Sequence, residues 1–303
     1  MKVPKGIIPA MLTVFNADGT LDEKGTREYA EWLIESGVHG LAPSGSTGEA
    51  VAMTSRERTR VVEITVDQAA GRVPIYAGTG HYSTHITIEL SRQAISSGAE
   101  GVMVILPYYY SPPVESAMNH LRKVAEAIER PILLYNNPWF AGYELLPVEV
   151  KKLVDEGVIN SLKAAHGDPM RVNYLKYICG DKLSVLYGHD YAPMEGFFAG
   201  ADGWLSGLPN VIPELSVALY RAVVEQKDVD AARRIWQRIV PFTYYFMYGR
   251  KGSPQKPHWL SVFKEALNLM GRNVGQPRLP AEPLTDTERA ELREVISNLD
   301  VKL

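Results

Sequence analysis

The chain repeats one two-part beat, and that beat limits what it can fold into. Short apolar, β-rich runs recur: "GIIPAMLTVF" (6–15), "HGLAP" (39–43), "VPIYAGTG" (73–80), "GVMVILPYY" (101–109), "PILLYN" (131–136), "VINSLKAA" (158–165), "LSVLYGHD" (183–190) and "GWLSGL" (203–208). Their starts lie roughly 20 to 35 residues apart, the length of a strand with its crossover helix. The intervals "DEKGTREYAEWLIESG", "SRERTRVVEITVDQAAG", "STHITIELSRQAISSG", "PVESAMNHLRKVAEAIE" and "PVEVKKLVDEG" carry helical periodicity, and several stop at glycine. Eight strands alternating with helices predict an α/β fold, a (β/α)8 TIM barrel. An open doubly wound sheet is the competitor, disfavoured because no G-x-G-x-x-G follows the first strand.

After about residue 210 the beat gives way to helices alone. "PELSVALYRAVVEQ" is expected to close the barrel, and "DVDAARRIWQRIVPFTYYFMYG", "HWLSVFKEALNLMG" and "TDTERAELREVISNL" form a C-terminal helical extension. The expected division is a catalytic barrel over 1–225 and an extension over 226–303. "GRKGSPQKPH" and "NVGQPRLPAEP" are the Pro/Gly-rich connections between the extension's helices.

Composition narrows the partners. A net charge of −3 gives no electrostatic case for nucleic acid or an anionic membrane. One cysteine, Cys179, excludes an internal disulfide, and no Cys/His spacing suggests a metal. No apolar run reaches the ~18 residues that span a bilayer. Pro9 interrupts the N-terminal apolar run, so no signal peptide is expected. The expectation is a cytoplasmic protein acting on a small molecule, without cofactor or metal.

One residue is out of place in this scheme. In "VINSLKAAHGD" strand alternation puts Ile159, Ser161, Lys163 and Ala165 on one face, so a lysine stands among small residues where lysines are seldom buried. In barrels of this type the active site lies at the C-terminal strand ends. Several polar groups fall at that end. "PSGSTGEA" supplies Gly45, Ser46 and Thr47 before an expected helix, a compact cradle for a carboxylate. Tyr108, Tyr109 and Tyr110 follow the fourth run, and Tyr135 ends the fifth. Gly188, His189 and Asp190 end the seventh, with Leu205 and Ser206 in the eighth. Desolvation in a barrel mouth lowers a lysine's pKa and frees a neutral amine. Such an amine forms an iminium with a ketone, an electron sink for the adjacent carbon bond. Tyr135 would shuttle the proton, and Ser46 and Thr47 would hold the carboxylate of a 2-oxo acid.

At these residues the sequence resembles the dihydrodipicolinate synthase / N-acetylneuraminate lyase family, from "IPAMLTVFNADGTLD" through "GSTGEA", "PYYY", "YNNP", "LKAAHGD" and "GADGWLSGLPNV". The resemblance implies a class I lyase in which Lys163 forms a Schiff base with pyruvate or another 2-oxo acid. It implies Tyr135 as catalytic tyrosine, Ser46 and Tyr109 as the hydroxyls relaying its proton, and Ser46 and Thr47 as the carboxylate site. In many members the residue matching Tyr109 reaches across a dimer interface, and homotetramers are usual, so a homo-oligomer (tetramer or dimer) is implied. Gly188 and Asp190 resemble a polyol-binding turn, with Tyr191 where that turn carries an acid. Phe140 stands where synthases carry an arginine for the second substrate's carboxylate. Phe140, His189 and Tyr191 are therefore the specificity candidates, with Trp139 and Trp204 completing an aromatic entrance. The sequence reading favours an aldolase or dehydratase of a 2-oxo-3-deoxy or 4-hydroxy-2-oxo acid. The alternative is condensation of pyruvate with aspartate semialdehyde. The same iminium would serve a cyclic-imine deaminase. A catalytically retired barrel acting as a small-molecule-binding module is the reading from another class.

Overall fold

The computed structural model describes residues 3–249, 256–297 and 299. Seven strands form one parallel sheet: β1 (Gly6–Pro9), β2 (Tyr76–Gly78), β3 (Gly101–Ile105), β4 (Ile132–Asn136), β5 (Ile159–Ala164), β6 (Ser184–Tyr187) and β7 (Gly203–Ser206). Their order is β1-β7-β6-β5-β4-β3-β2, with every pair parallel. The crossovers include α1 (Glu23–Glu35), α2 (Ser55–Ala69), α3 (Thr84–Ser96), α4 (Val114–Ile128), α5 (Pro138–Ala141), α6 (Pro147–Asp155), α7 (Pro169–Cys179) and α8 (Pro193–Phe198). Side-chain caps start several of them. Asp22 accepts from Gly25 N–H, Thr54 and Glu57 form a capping box, and Asp168 accepts from Met170 N–H.

Alternation assigns the two faces of the sheet. Ile7, Val102, Leu134, Leu162, Val185 and Trp204 join the large core shared with the helices. Ile8, Tyr76, Met103, Leu133, Tyr135, Leu186 and Leu205 instead pack on one another. That cluster spans β1 to β2, the two ends of the strand order, so the sheet curls until its edges approach. Residues 39–43 lie in the gap. On one flank His39 N–H donates to Ile7 O, Ala42 N–H to Pro9 O, and Met11 N–H to Ala42 O. On the other, Leu41 N–H donates to Pro74 O, Tyr76 N–H to Leu41 O, and Gly78 N–H to Pro43 O.

The first expected strand, 6–15, ends at Pro9. Ala10 N–H still bonds Ser206 O of β7, and only then does the backbone turn to other partners, Met11 N–H reaching Ala42 O and Leu12 N–H the Asn210 side chain. The expected "HGLAP" strand makes a single bridge, Leu41 to Ile75, rather than a ladder.

The C-terminal helices follow the sequence reading. They are α9 (Pro213–Tyr220), continued by a wider turn over 221–225, then α10 (Val229–Tyr248), α11 (Trp259–Leu269) and α12 (Asp286–Ser297). Most of the "GRKGSPQKPH" connection lies outside the described residues. Phe242, Phe246 and Phe263 pack with ring centroids 5.0–6.2 Å apart, joining α10 to α11.

Closure leaves no room at Gly203. A Cβ there would sit 2.2 Å from Gly6 O and 2.6 Å from Gly6 N. Gly203→Ala is expected to split the β1–β7 pairing and cost about 3 kcal/mol or more, because backbone cannot yield as a side chain does. Thermal melts should show a Tm drop of roughly 5 °C or more for a chain of this size. An unchanged Tm would contradict the contact.

Candidate active site

Lys163 projects from β5 into the curled sheet and is 4% exposed. Its Nζ lies 4.0 Å from the centroid of the Tyr135 ring, on the paired strand β4. Among the described residues no carboxylate pairs with it directly, and the ring face of Tyr135 is a close electrostatic partner. Gly188 makes space for it. A Cβ at that position would lie 2.8 Å from Lys163 Cγ.

Lys163 lines a cavity of about 200 Å³ together with Ser46, Thr47, Tyr135, His189 and Asp190. A second cavity of about 410 Å³ lies alongside, and Ser46, Tyr135, Phe140 and Trp259 line both. Asn137 Nδ2 donates to the Tyr135 hydroxyl at 2.8 Å, so that oxygen is already an acceptor and its proton is free to point elsewhere. Asn137 Oδ1 meanwhile caps α5 by accepting from Trp139 and Phe140 N–H. One side chain thus fixes both the tyrosine and the aromatic rim.

Burial pushes His189 down to about 4, with the Lys163 charge acting in the same direction. The imidazole is neutral near pH 7, and its Nδ1 accepts from Asp190 N–H at 3.0 Å, which leaves Nε2 as the protonated nitrogen. Burial raises Asp190 to about 6 against the opposing effects of Ser206, the Leu208 N–H and the Lys163 charge. In the larger cavity Arg58 is 6% exposed, and among the described residues its hydrogen bonds go to neutral groups: Ser44 Oγ, Gly78 O and Gly80 O. Among the described residues no group of three or more His, Cys, Asp or Glu is placed to hold a metal ion, and no helix is long and apolar enough to cross a membrane.

The model of the dihydrodipicolinate synthetase family matches residues 3–299. The chain belongs to that family. A 4-hydroxy-tetrahydrodipicolinate synthase of Pelobacter propionicus is 37% identical over 294 residues, covering 97% of this chain and 98% of that protein. YagE, a prophage protein of the dihydrodipicolinic acid synthase family from E. coli K12 solved with pyruvate, superposes with a TM-score of 0.89 at 32% identity, covering 97% and 98% of the two chains. The pyruvate complex of the chloride-inhibited dihydrodipicolinate synthase from Acinetobacter baumannii gives 0.89 at 31% identity, with the same coverage. As a member of the dihydrodipicolinate synthetase family the chain is an enzyme, a Schiff-base lyase of class I, and its family places it among pyruvate-using lyases.

Within this family member several expected residues lie elsewhere. Lys163, Tyr135, Ser46, Thr47, Gly188, Asp190, His189, Phe140 and Trp139 all line the lysine cavity. Gly45 lines only the larger one. Leu205 is fully buried in the inner cluster below the cavity, and its neighbours Ser206 and Gly207 line the wall instead. Trp204 alternates to the opposite face, where it is fully buried and donates to His189 O, so it is no part of the entrance. Tyr191 packs against His189 with ring centroids 4.2 Å apart and planes tilted by 59°, without lining the cavity. Tyr109 is 73% exposed, packed against Tyr82 and Tyr110 outside both cavities. The cradle is followed by a short 3-10 turn (Ala50–Ala52), and α2 begins only at Ser55, so no helix N-terminus directly backs Ser46 and Thr47.

The sequence reading missed Asn137, Lys256, Trp259, Phe246 and Met247. Asn137 carried a signal, since Asn before Pro is an N-cap pattern. The other four reach the cavity only through the fold of the extension.

Asp190 yields a pH prediction. Its folded pKa, about 6, exceeds its ordinary 3.8, so between those values the unfolded chain has released a proton that the folded chain retains. Stability from this group therefore falls as pH rises from about 4 to 6, by at most about 3 kcal/mol. Asp190→Asn should gain stability relative to the parent between pH 4.5 and 7.5 in urea titrations. Parallel pH profiles for the two proteins would contradict it.

Proposed function

We propose that Lys163 is the Schiff-base lysine and that pyruvate is the 2-oxo acid it captures. What carries this reading is one buried lysine beside a tyrosine, with a hydroxyl cradle lining the same cavity. The Lys163 amine attacks the ketone carbon, and loss of water gives the iminium. Tyr135 transfers the protons, its hydroxyl oxygen held by Asn137. Ser46 and Thr47 receive the carboxylate. Removal of a methyl proton then gives the enamine that attacks an aldehyde, and hydrolysis frees the lysine. We also read residues 39–43 as the eighth stave of a closed (β/α)8 barrel, supported by their hydrogen bonds to both flanks. Tyr109 would enter a relay only from a second copy of the chain, since within its own chain it lies outside both cavities. That position supports a homo-oligomer.

For the second substrate, aspartate semialdehyde is the leading reading, making the protein a 4-hydroxy-tetrahydrodipicolinate synthase. The names of its relatives support it. So does Lys256, a cation in the lysine cavity that offsets the missing arginine at position 140. This reverses the preference drawn from sequence, which rested on Phe140, the Gly188–Asp190 turn and the aromatic entrance and did not weigh Lys256. Cleavage or dehydration of a 2-oxo-3-deoxy or 4-hydroxy-2-oxo acid is the second reading, favoured by Phe140 itself and by the neutral His189 donor beside Asp190.

Borohydride reduction with pyruvate should leave one adduct on Lys163 by peptide mass spectrometry, absent in Lys163→Ala. Tyr135→Phe should retain the lysine but lose about 10² to 10⁴ in turnover. Saturable condensation with aspartate semialdehyde would establish the leading reading. Retro-aldol release of pyruvate from a deoxy-keto acid without condensation would establish the second. No adduct with pyruvate or a larger 2-oxo acid would reject Lys163 as the nucleophile.

A further inference from the structure

The cradle does not stand on its own hydrogen bonds. Glu49 directly follows Ser46-Thr47-Gly48 and adopts a left-handed backbone, φ 59° and ψ 33°, which non-glycine residues seldom hold. Its carboxylate is 2% exposed and faces a fully buried lysine, Lys264 of α11, at 2.6 Å. The other carboxylate oxygen accepts from Arg278 N–H at 2.7 Å. Lys264 also donates to Gln276 O at 3.2 Å and sits 4.4 Å from the Phe15 ring centroid. On the cradle side Glu49 N–H closes onto Ser46 O at 3.1 Å, and Thr13 Oγ1 donates to Gly48 O at 2.7 Å. Neither Glu49 nor Lys264 lines either cavity.

We propose that the buried Glu49–Lys264 pair is the positioning element of the carboxylate cradle, locking Ser46 and Thr47 to the C-terminal extension. The inference rests on the cradle reading above. A buried ion pair gains little net stability over an apolar pair of the same shape, because desolvation of both charges offsets their attraction. What it does supply is geometry. The pair fixes an unfavourable backbone conformation two residues from Thr47, and it joins that loop to the helix whose first residue, Trp259, walls the lysine cavity. Neither charge contacts substrate, so both are positioning residues.

The test compares Glu49→Gln/Lys264→Met, which removes both charges at similar volume, with Val262→Ala, a cavity-forming change at a fully buried site on the same helix. The readout is the pyruvate concentration that half-saturates borohydride trapping of Lys163. The double variant should need at least tenfold more pyruvate while reaching the parent's maximal trapping, and Val262→Ala should lower Tm without moving that concentration. A folded double variant within twofold of the parent would overturn the proposal.

Should the variant not fold, hydrogen exchange on the parent protein decides. Pyruvate occupancy must slow exchange of the Arg278 amide, which bonds Glu49 but lines no cavity, because coupling between two sites is reciprocal. Unchanged exchange at saturating pyruvate would overturn the proposal equally. Failure of the parent to trap pyruvate at all would instead reject the cradle reading itself.

Discussion

A parallel sheet leaves rows of unpaired N–H and C=O groups along its two edges, and the rest of this structure depends on how those rows are covered. Here β1 and β2 both bond to residues 39–43. Those residues bond both flanks although Leu41 alone forms a strand bridge, to Ile75. Their contacts bring the inner faces of six of the seven strands, with Ala165 just past β5, into one cluster. A flat sheet would leave Lys163 on an open face. The curled one surrounds it with Tyr135, Gly188 and Ala165, leaving it 4% exposed.

Burial on these terms shapes the chemistry around the lysine. His189 is held neutral and Asp190 is pushed toward neutrality, both chiefly by desolvation. Near pH 6 His189 is a neutral hydrogen-bonding group and Asp190 is about half protonated. Asn137 adds a fixed donor to the tyrosine. His189 is therefore a neutral, oriented partner near pH 7, lining the same cavity as Asp190, Lys163 and Lys256.

The C-terminal helices complete the site. Phe246 and Met247 at the end of α10, Lys256 after it, and Trp259 at the start of α11 all face the lysine cavity. The aromatic contacts among Phe242, Phe246 and Phe263 hold the two helices together. The Glu49–Lys264 pair joins α11 to the loop on the far side. The extension is thus a wall of the site, and its attachment bears directly on the cradle.

The sequence alone determined the alternating strand and helix units, the helical extension and the end of the sheet where the polar residues gather. Those features follow from periodicity, glycine stops and caps, all local in the chain. It also placed Lys163, Tyr135, Ser46 and Thr47 together, because strand order fixes which ends meet. Tertiary structure decided what depends on side-chain direction or on long-range contact. Trp204 and Leu205 are adjacent in sequence, yet alternation sends one behind the sheet and the other beneath the cavity. Tyr109 and Tyr108 diverge in the same way, one exposed and one at the larger cavity. Lys256 and Trp259 lie more than ninety residues from Lys163 in the chain, and Lys264 lies 215 residues from Glu49. No local pattern encodes such a meeting; only the curling of the sheet and the return of the C-terminal helices to the lysine cavity bring these groups together.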